Sequence, residues 1–99
     1  MFVAKLEREF QPKLIEEIEA MFPGSIVCKN ESYIQGFPDL TVYYGKKWAC
    51  LETKRAENAK RQPNQPFYVD RLNYMSFARF VSPENKENVL GELRAFFEK

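Results

Sequence analysis

The chain has no histidine among its 99 residues. That excludes a His-based nucleophile triad and an imidazole general base, and it leaves zinc without its commonest nitrogen ligand. Cysteine is nearly absent too, with only Cys28 and Cys50. Each falls in an expected strand, and without a secretory signal they read as small buried thiols in a reducing compartment. The opening Met1-Phe2-Val3-Ala4 is too short for a signal h-region, and no apolar run approaches the ~20 residues of a membrane span. We expect an intracellular, cytoplasmic protein with no membrane partner. Repeats, low-complexity tracts and linkers are all lacking, and the length suits one domain over residues 1–99. What remains for chemistry is carboxylate and lysine.

Those groups are numerous and unevenly placed. Fifteen basic and fourteen acidic residues give a net charge of +1. Residues 1–22 contain three basic and five acidic side chains. Residues 46–61 reverse the balance, with Lys46, Lys47, Lys54, Arg55, Lys60 and Arg61 against Glu52 and Glu57, a net of +4. A basic segment of this kind suits a phosphate backbone. A solvated loop with incidental lysines would look the same.

The most informative stretch is Phe37 to Lys54. Pro38-Asp39-Leu40-Thr41-Val42-Tyr43-Tyr44 and Lys47-Trp48-Ala49-Cys50-Leu51-Glu52-Thr53-Lys54 are rich in β-branched and aromatic residues, and Gly45-Lys46 separates them. Glycine at the first position of a two-residue loop suits a type II′ hairpin turn. Tyr44 then pairs with Lys47, and counting outward sets Asp39 opposite Glu52. One face carries Leu40, Val42, Ala49 and Leu51 and requires a core. The other carries Asp39, Glu52 and, two residues on, Lys54. Facing carboxylates lie about 4.5–5.5 Å apart at Cβ and repel unless a positive charge sits between them. A hard divalent cation with oxygen ligands, Mg²⁺ or Mn²⁺, is the simplest such charge. The alternative is three solvated charges on an exposed strand. No organic cofactor is called for.

The run Gly36-Phe37-Pro38-Asp39-Leu40, then Trp48-Ala49-Cys50-Leu51-Glu52-Thr53-Lys54, then Gln65, resembles the PD-(D/E)XK signature of restriction-endonuclease-like nucleases. It is most similar to the small stand-alone VRR-NUC and phage-type members. The resemblance covers most of the chain, from about Glu7 to the last helix. It implies a metal-dependent DNA endonuclease, encoded by a phage or prophage, with a restriction-endonuclease-like core. Asp39 and Glu52 would hold the metal with help from the Thr53 carbonyl. Lys54 would orient or deprotonate the attacking water, or stabilise charge at the phosphate. A further carboxylate on the first helix is Glu7, which has Gln11 four residues on; Glu9 competes with it. Gln65 would line the active site. The resemblance also implies a homodimer acting on branched DNA such as four-way junctions. Basic residues Lys46, Lys47, Arg55, Lys60 and Arg61 would contact the DNA. Two other readings stay open: a DNA-binding module that keeps the hairpin for its architecture, and an interaction protein in which the motif is accidental.

Elsewhere, Leu6, Phe10, Leu14, Ile18 and Phe22 recur at helical spacing. Pro12 either kinks that helix or sits in the first turn of one beginning near Gln11. A short strand follows over 25–31, then a loop in which Gly36 lets the backbone turn sharply and a ligand approach. Tyr33 and Phe37 are either supports for DNA or packing residues. The polar run 55–62 reads as a basic surface loop. Asn64 is expected to cap a helix whose inner face is Tyr68, Val69, Leu72, Met75 and Ser76. A strand over 77–81 precedes a last helix, started by Ser82-Pro83-Glu84 and buried through Val89, Leu90, Leu93, Phe96 and Phe97. The expected order is α-β-β-β-α-β-α, a mixed central β-sheet flanked by helices in an α/β fold.

Overall fold

Leu14, Ile18 and Phe22 follow one another at four-residue intervals, and each is at most 1% exposed. Leu14 and Ile18 lie on the inner stripe of helix α1 (Phe2–Met21), which continues through Pro12, and Phe22 follows directly after it. The computed structural model describes the backbone from residue 2 to residue 99 and side chains from Glu9 onward. Strands β1 (Ile26–Lys29), β2 (Leu40–Tyr44) and β3 (Lys47–Thr53) come next, then α2 (Gln65–Met75), β4 (Ala78–Val81) and α3 (Lys86–Phe97).

The sheet order is β1-β2-β3-β4. The first three strands are antiparallel neighbours, and β4 lies parallel to β3. A parallel partner needs a crossover, which α2 supplies. The hairpin has the expected register, with Tyr44 against Lys47 and Leu40 against Leu51. Gly45 has φ +62°, whereas Lys46 is not in the positive-φ region, as a type II′ turn requires.

Alternation along the hairpin divides the interior in two. Leu40, Val42, Ala49 and Leu51, all 0% exposed, pack with Leu14 and Ile18 of α1, with Phe22 just beyond it, and with Val89, Leu90, Leu93 and Phe97 of α3. Each large aliphatic side chain buried in this way contributes about 1.5–3 kcal/mol. The opposite face is covered by α2, whose Val69 and Leu72 pack on Cys50 and Ala78. The fold is therefore mixed α/β, with helices on both sides of a four-stranded sheet. Among the described residues no helix is long and apolar enough to cross a membrane.

Four local expectations are corrected. Cys28 is exposed, because β1 is an edge strand and α2 packs over the β3 and β4 side of the sheet. Met75, expected on the inner face of α2, is 59% exposed at the helix end. Asn64 occupies the N-cap position but makes no side-chain cap bond; its φ of +76° is left-handed instead. Ser82-Pro83-Glu84 forms a turn before α3, and the cap position belongs to Asn85. The Asn85 carboxamide oxygen accepts from the Ser82 N–H at 2.7 Å, which holds that turn outside the helix.

Candidate functional site

The site forms where β3 outruns β2. β2 begins at Leu40, so Asp39 and Glu52 are the next opposed residues beyond the last paired step. Asn30 fixes this corner. Its Nδ2 donates to the Pro38 carbonyl at 2.9 Å and to Thr41 Oγ1 at 2.8 Å, and its N–H donates to the Asp39 carbonyl at 2.8 Å. The Thr53 N–H donates to Asp39 Oδ1 at 3.0 Å. Thr53 Oγ1 and Gln11 Nε2 donate to Asp39 Oδ2, the latter at 3.0 Å.

The two carboxylates therefore do not simply face each other, as alternation alone implied. Asp39 turns to Thr53 and to Gln11 of α1. Glu52 turns to α2, where its Oε2 accepts from Gln65 Nε2 at 2.9 Å. The charges still interact. Burial, then the Asp39 charge, raises the Glu52 pKa from 4.5 to about 7. Burial also raises Asp39, against the hydrogen bonds from Thr53.

Gln65 is the hinge of the arrangement. Its Oε1 accepts from Lys54 Nζ at 2.7 Å and from the Gln62 N–H at 2.8 Å, while its Nε2 serves Glu52. Lys54 Nζ also donates to the Lys60 carbonyl at 3.3 Å. Gly36 is what brings Gln65 so close. At φ +88°, it lies where a Cβ would meet Asn64 Cβ at 2.7 Å and the Gln65 nitrogen at 3.0 Å. The close approach expected at this glycine is thus made by the start of α2 rather than by a ligand.

Asp39, Glu52, Thr53, Lys54 and Gln65 are brought together at one end of the sheet. The side chain of Glu7 lies outside the described residues. Gln11, four residues after it, reaches the site, whereas Glu9 is exposed. Arg55, Lys60 and Arg61 follow Lys54 in the same loop. Lys46 and Lys47 do not join them. They sit at the hairpin turn, five residues of β3 and roughly 17 Å of strand away from Glu52. Lys47 is occupied there, donating to the Phe96 carbonyl at 2.6 Å at the end of α3. Sequence reasoning missed Asn30 and the Thr53 hydroxyl. Both are polar residues at strand ends, a signal too common to single out.

The donor set fits a hard cation. Glu52 Oε1 is buried and has no hydrogen-bond partner among the described residues. Two carboxylates of raised proton affinity are close enough to repel. Among the described residues no cluster of three or more His, Cys, Asp or Glu side chains forms, so remaining ligands would be backbone, water or Glu7. No family model, curated protein or solved structure matches the chain.

Proposed function

We propose that this protein is a metal-dependent endodeoxyribonuclease with a restriction-endonuclease-like core. The observation that carries the reading is the buried Oε1 of Glu52, unpartnered among the described residues and beside a second carboxylate, with an ammonium coupled to Glu52 through Gln65. Asp39 and Glu52 would hold Mg²⁺ or Mn²⁺, with the Thr53 carbonyl and Glu7 completing the set. Such an ion, when bound, supplies Lewis acidity at the phosphate and lowers the pKa of its water.

The chain's own residues do the rest. Gln11 and Thr53 fix Asp39 from two sides, so its oxygens are oriented before any ligand arrives. Gln65 holds Lys54 and Glu52 at a set separation. Lys54 places its ammonium where it stabilises negative charge on the phosphate or positions the attacking water. The loop cations Arg55, Lys60 and Arg61 attract the backbone of the DNA without reading its bases. One such unit cuts one strand, so resolving a four-way junction takes a homodimer.

One observation favours a second reading. Both Asp39 oxygens already accept hydrogen bonds from within the fold, as a purely architectural aspartate would. A DNA-binding module of the same fold would have this feature and no cleavage. The two are separated by incubating wild type and Glu52→Ala with labelled linear, nicked, flapped and four-way DNA in Mg²⁺, Mn²⁺ or EDTA. Cleavage by wild type with metal alone supports the nuclease. Binding without cleavage in any metal supports the module.

A further inference from the structure

Asp39 follows a proline, and that proline interrupts the sheet. β1 pairs with β2 as far as Lys29 against Leu40, and the Asn30 N–H adds one more bond, to the Asp39 carbonyl at 2.8 Å. Beyond it Pro38 has no N–H with which to continue the ladder. Pro38 is fully buried, and a carbonyl away from water needs a donor from the protein. The Asn30 carboxamide is that donor. Its Nδ2 carries two protons, and it donates to the Pro38 carbonyl at 2.9 Å and to Thr41 Oγ1 at 2.8 Å. One residue thus grips the chain before Asp39, at Asp39 and beyond it. The side chain suits the task narrowly, because an ionised aspartate has no proton to give and a serine only one. The loop that begins here also reaches the other carboxylate. Gly36 seats against the start of α2, where a Cβ would lie 2.7 Å from Asn64 Cβ and 3.0 Å from the Gln65 nitrogen. Gln65 in turn donates to Glu52.

We propose that Asn30 is a positioning residue of the cation site, holding the main chain so that the Asp39 carboxylate lies where it shares a cation with Glu52. This deepens the nuclease reading and rests on its cation site. Asn30 acts through the backbone: its bonds go to the Pro38 and Asp39 carbonyls and to Thr41, and the Asp39 carboxylate is left to Thr53 and Gln11. Without the carboxamide, the Pro38 carbonyl must turn to find water, and Asp39 turns with it. Its Oδ1 then leaves the Thr53 N–H, and the two carboxylates no longer converge. Asn30 carries no charge, so the effect of replacing it with another neutral residue is one of geometry. Carboxylates that bind a metal depend on such outer supports, whose loss costs ~10–100-fold in affinity.

Two measurements test this apart from cleavage: Mn²⁺ affinity by electron paramagnetic resonance, and hydrogen exchange at the Thr53 N–H in EDTA, which reports whether Asp39 is in place. Asn30→Ala, with folding checked by circular dichroism, is expected to bind Mn²⁺ ~10-fold more weakly or worse and to exchange the Thr53 N–H about tenfold faster. Asn30→Asp keeps the shape without the donors. It is expected to bind more weakly as well, although an added carboxylate would tighten binding if charge alone counted, and it carries the test where Asn30→Ala does not fold. The control is Ser76→Ala, which removes the Ser76 Oγ bond to the Trp48 carbonyl toward the other end of β3. It should leave both readings within about threefold of wild type. A folded Asn30 variant that binds Mn²⁺ as well as wild type would overturn the role of Asn30 and leave the nuclease reading standing. Equal losses in Asn30→Ala and Ser76→Ala would do the same, because affinity would then follow stability alone. Wild type that takes up no Mn²⁺ would overturn both.

Discussion

A carboxylate that is 6% exposed, with one oxygen lacking a donor among the described residues, is kept in the fold at a cost that varies with pH. The Glu52 carboxyl ionises near 4.5 when unfolded and near 7 when folded. The folded chain therefore binds this proton more tightly than the unfolded chain does. The resulting stability is fully present below about 4.5 and is lost as pH rises through about 7. Asp39 shifts in the same direction. Replacing Glu52 with glutamine removes the ionisation but keeps an acceptor for Gln65 Nε2. In EDTA we predict that Glu52→Gln becomes progressively more stable than wild type as pH rises from about 4.5 to about 7, with the difference ~1–3 kcal/mol at pH 8. The two should converge near pH 4.5. Thermal denaturation at a series of pH values checks this, and added Mg²⁺ should raise only the wild type. A variant no more stable than wild type at pH 8 would mean that the buried charge is already compensated.

Gln65 belongs to the same scale. Gln65→Ala leaves the Glu52 oxygen without its donor and Lys54 without its closest acceptor. We predict a stability loss of ~1–3 kcal/mol and a fall of ~10–100-fold in cleavage, of the size seen when an outer-shell partner is removed. Urea denaturation and single-turnover cleavage give the two numbers.

At the scale of elements, the start of α2 is positioned by contact with a loop more than twenty residues earlier. Gly36→Ala places a methyl group 2.7 Å from Asn64 Cβ at a φ of +88°. We predict a loss of ~1–3 kcal/mol, from backbone strain and overpacking together, with cleavage falling further because Gln65 moves with the helix. Denaturant midpoints and cleavage rates measured on one preparation distinguish the effects.

How far these elements were legible depended on the range of the forces that set them. The β2–β3 hairpin is local. A glycine in a two-residue turn and two alternating strands define its register, and Leu40, Val42, Ala49 and Leu51 lie in the core as their spacing required. The convergence of Lys54 and Gln65 on one site was also anticipated, from the motif. The rotation of Asp39 toward Thr53 and Gln11 was not, because it depends on β2 beginning only at Leu40 and on a helix residue 28 positions away. The start of α3 was misplaced because the Asn85 side chain accepts from the Ser82 N–H and donates to the Phe80 carbonyl, which keeps residues 82–85 in a turn outside the helix. The exposure of Cys28 depends on which part of the sheet α2 covers, which no local pattern encodes.

Over the whole molecule, the basic residues of the segment 46–61 separate into two groups at opposite ends of the sheet. Arg55, Lys60 and Arg61 follow the site, whereas Lys46 lies at the distant hairpin turn. Removing a cation that contacts a phosphate weakens binding and lowers the salt dependence by about one unit of slope. We predict that Lys60→Ala reduces DNA affinity and flattens that slope, while Lys46→Ala leaves both unchanged. Anisotropy titrations at several salt concentrations decide it. Equal effects from both ends would place the DNA along the full length of the sheet.

The central claim is that Asp39 and Glu52 hold a divalent cation, and Mn²⁺ binding followed by electron paramagnetic resonance tests it without requiring activity. At pH 8 wild type should deplete the free Mn²⁺ signal, and both Asp39→Asn and Glu52→Gln should lose at least tenfold in affinity. Wild type that takes up no Mn²⁺, or Glu52→Gln that binds it equally well, would contradict the claim and leave the buried carboxylates without a metal role.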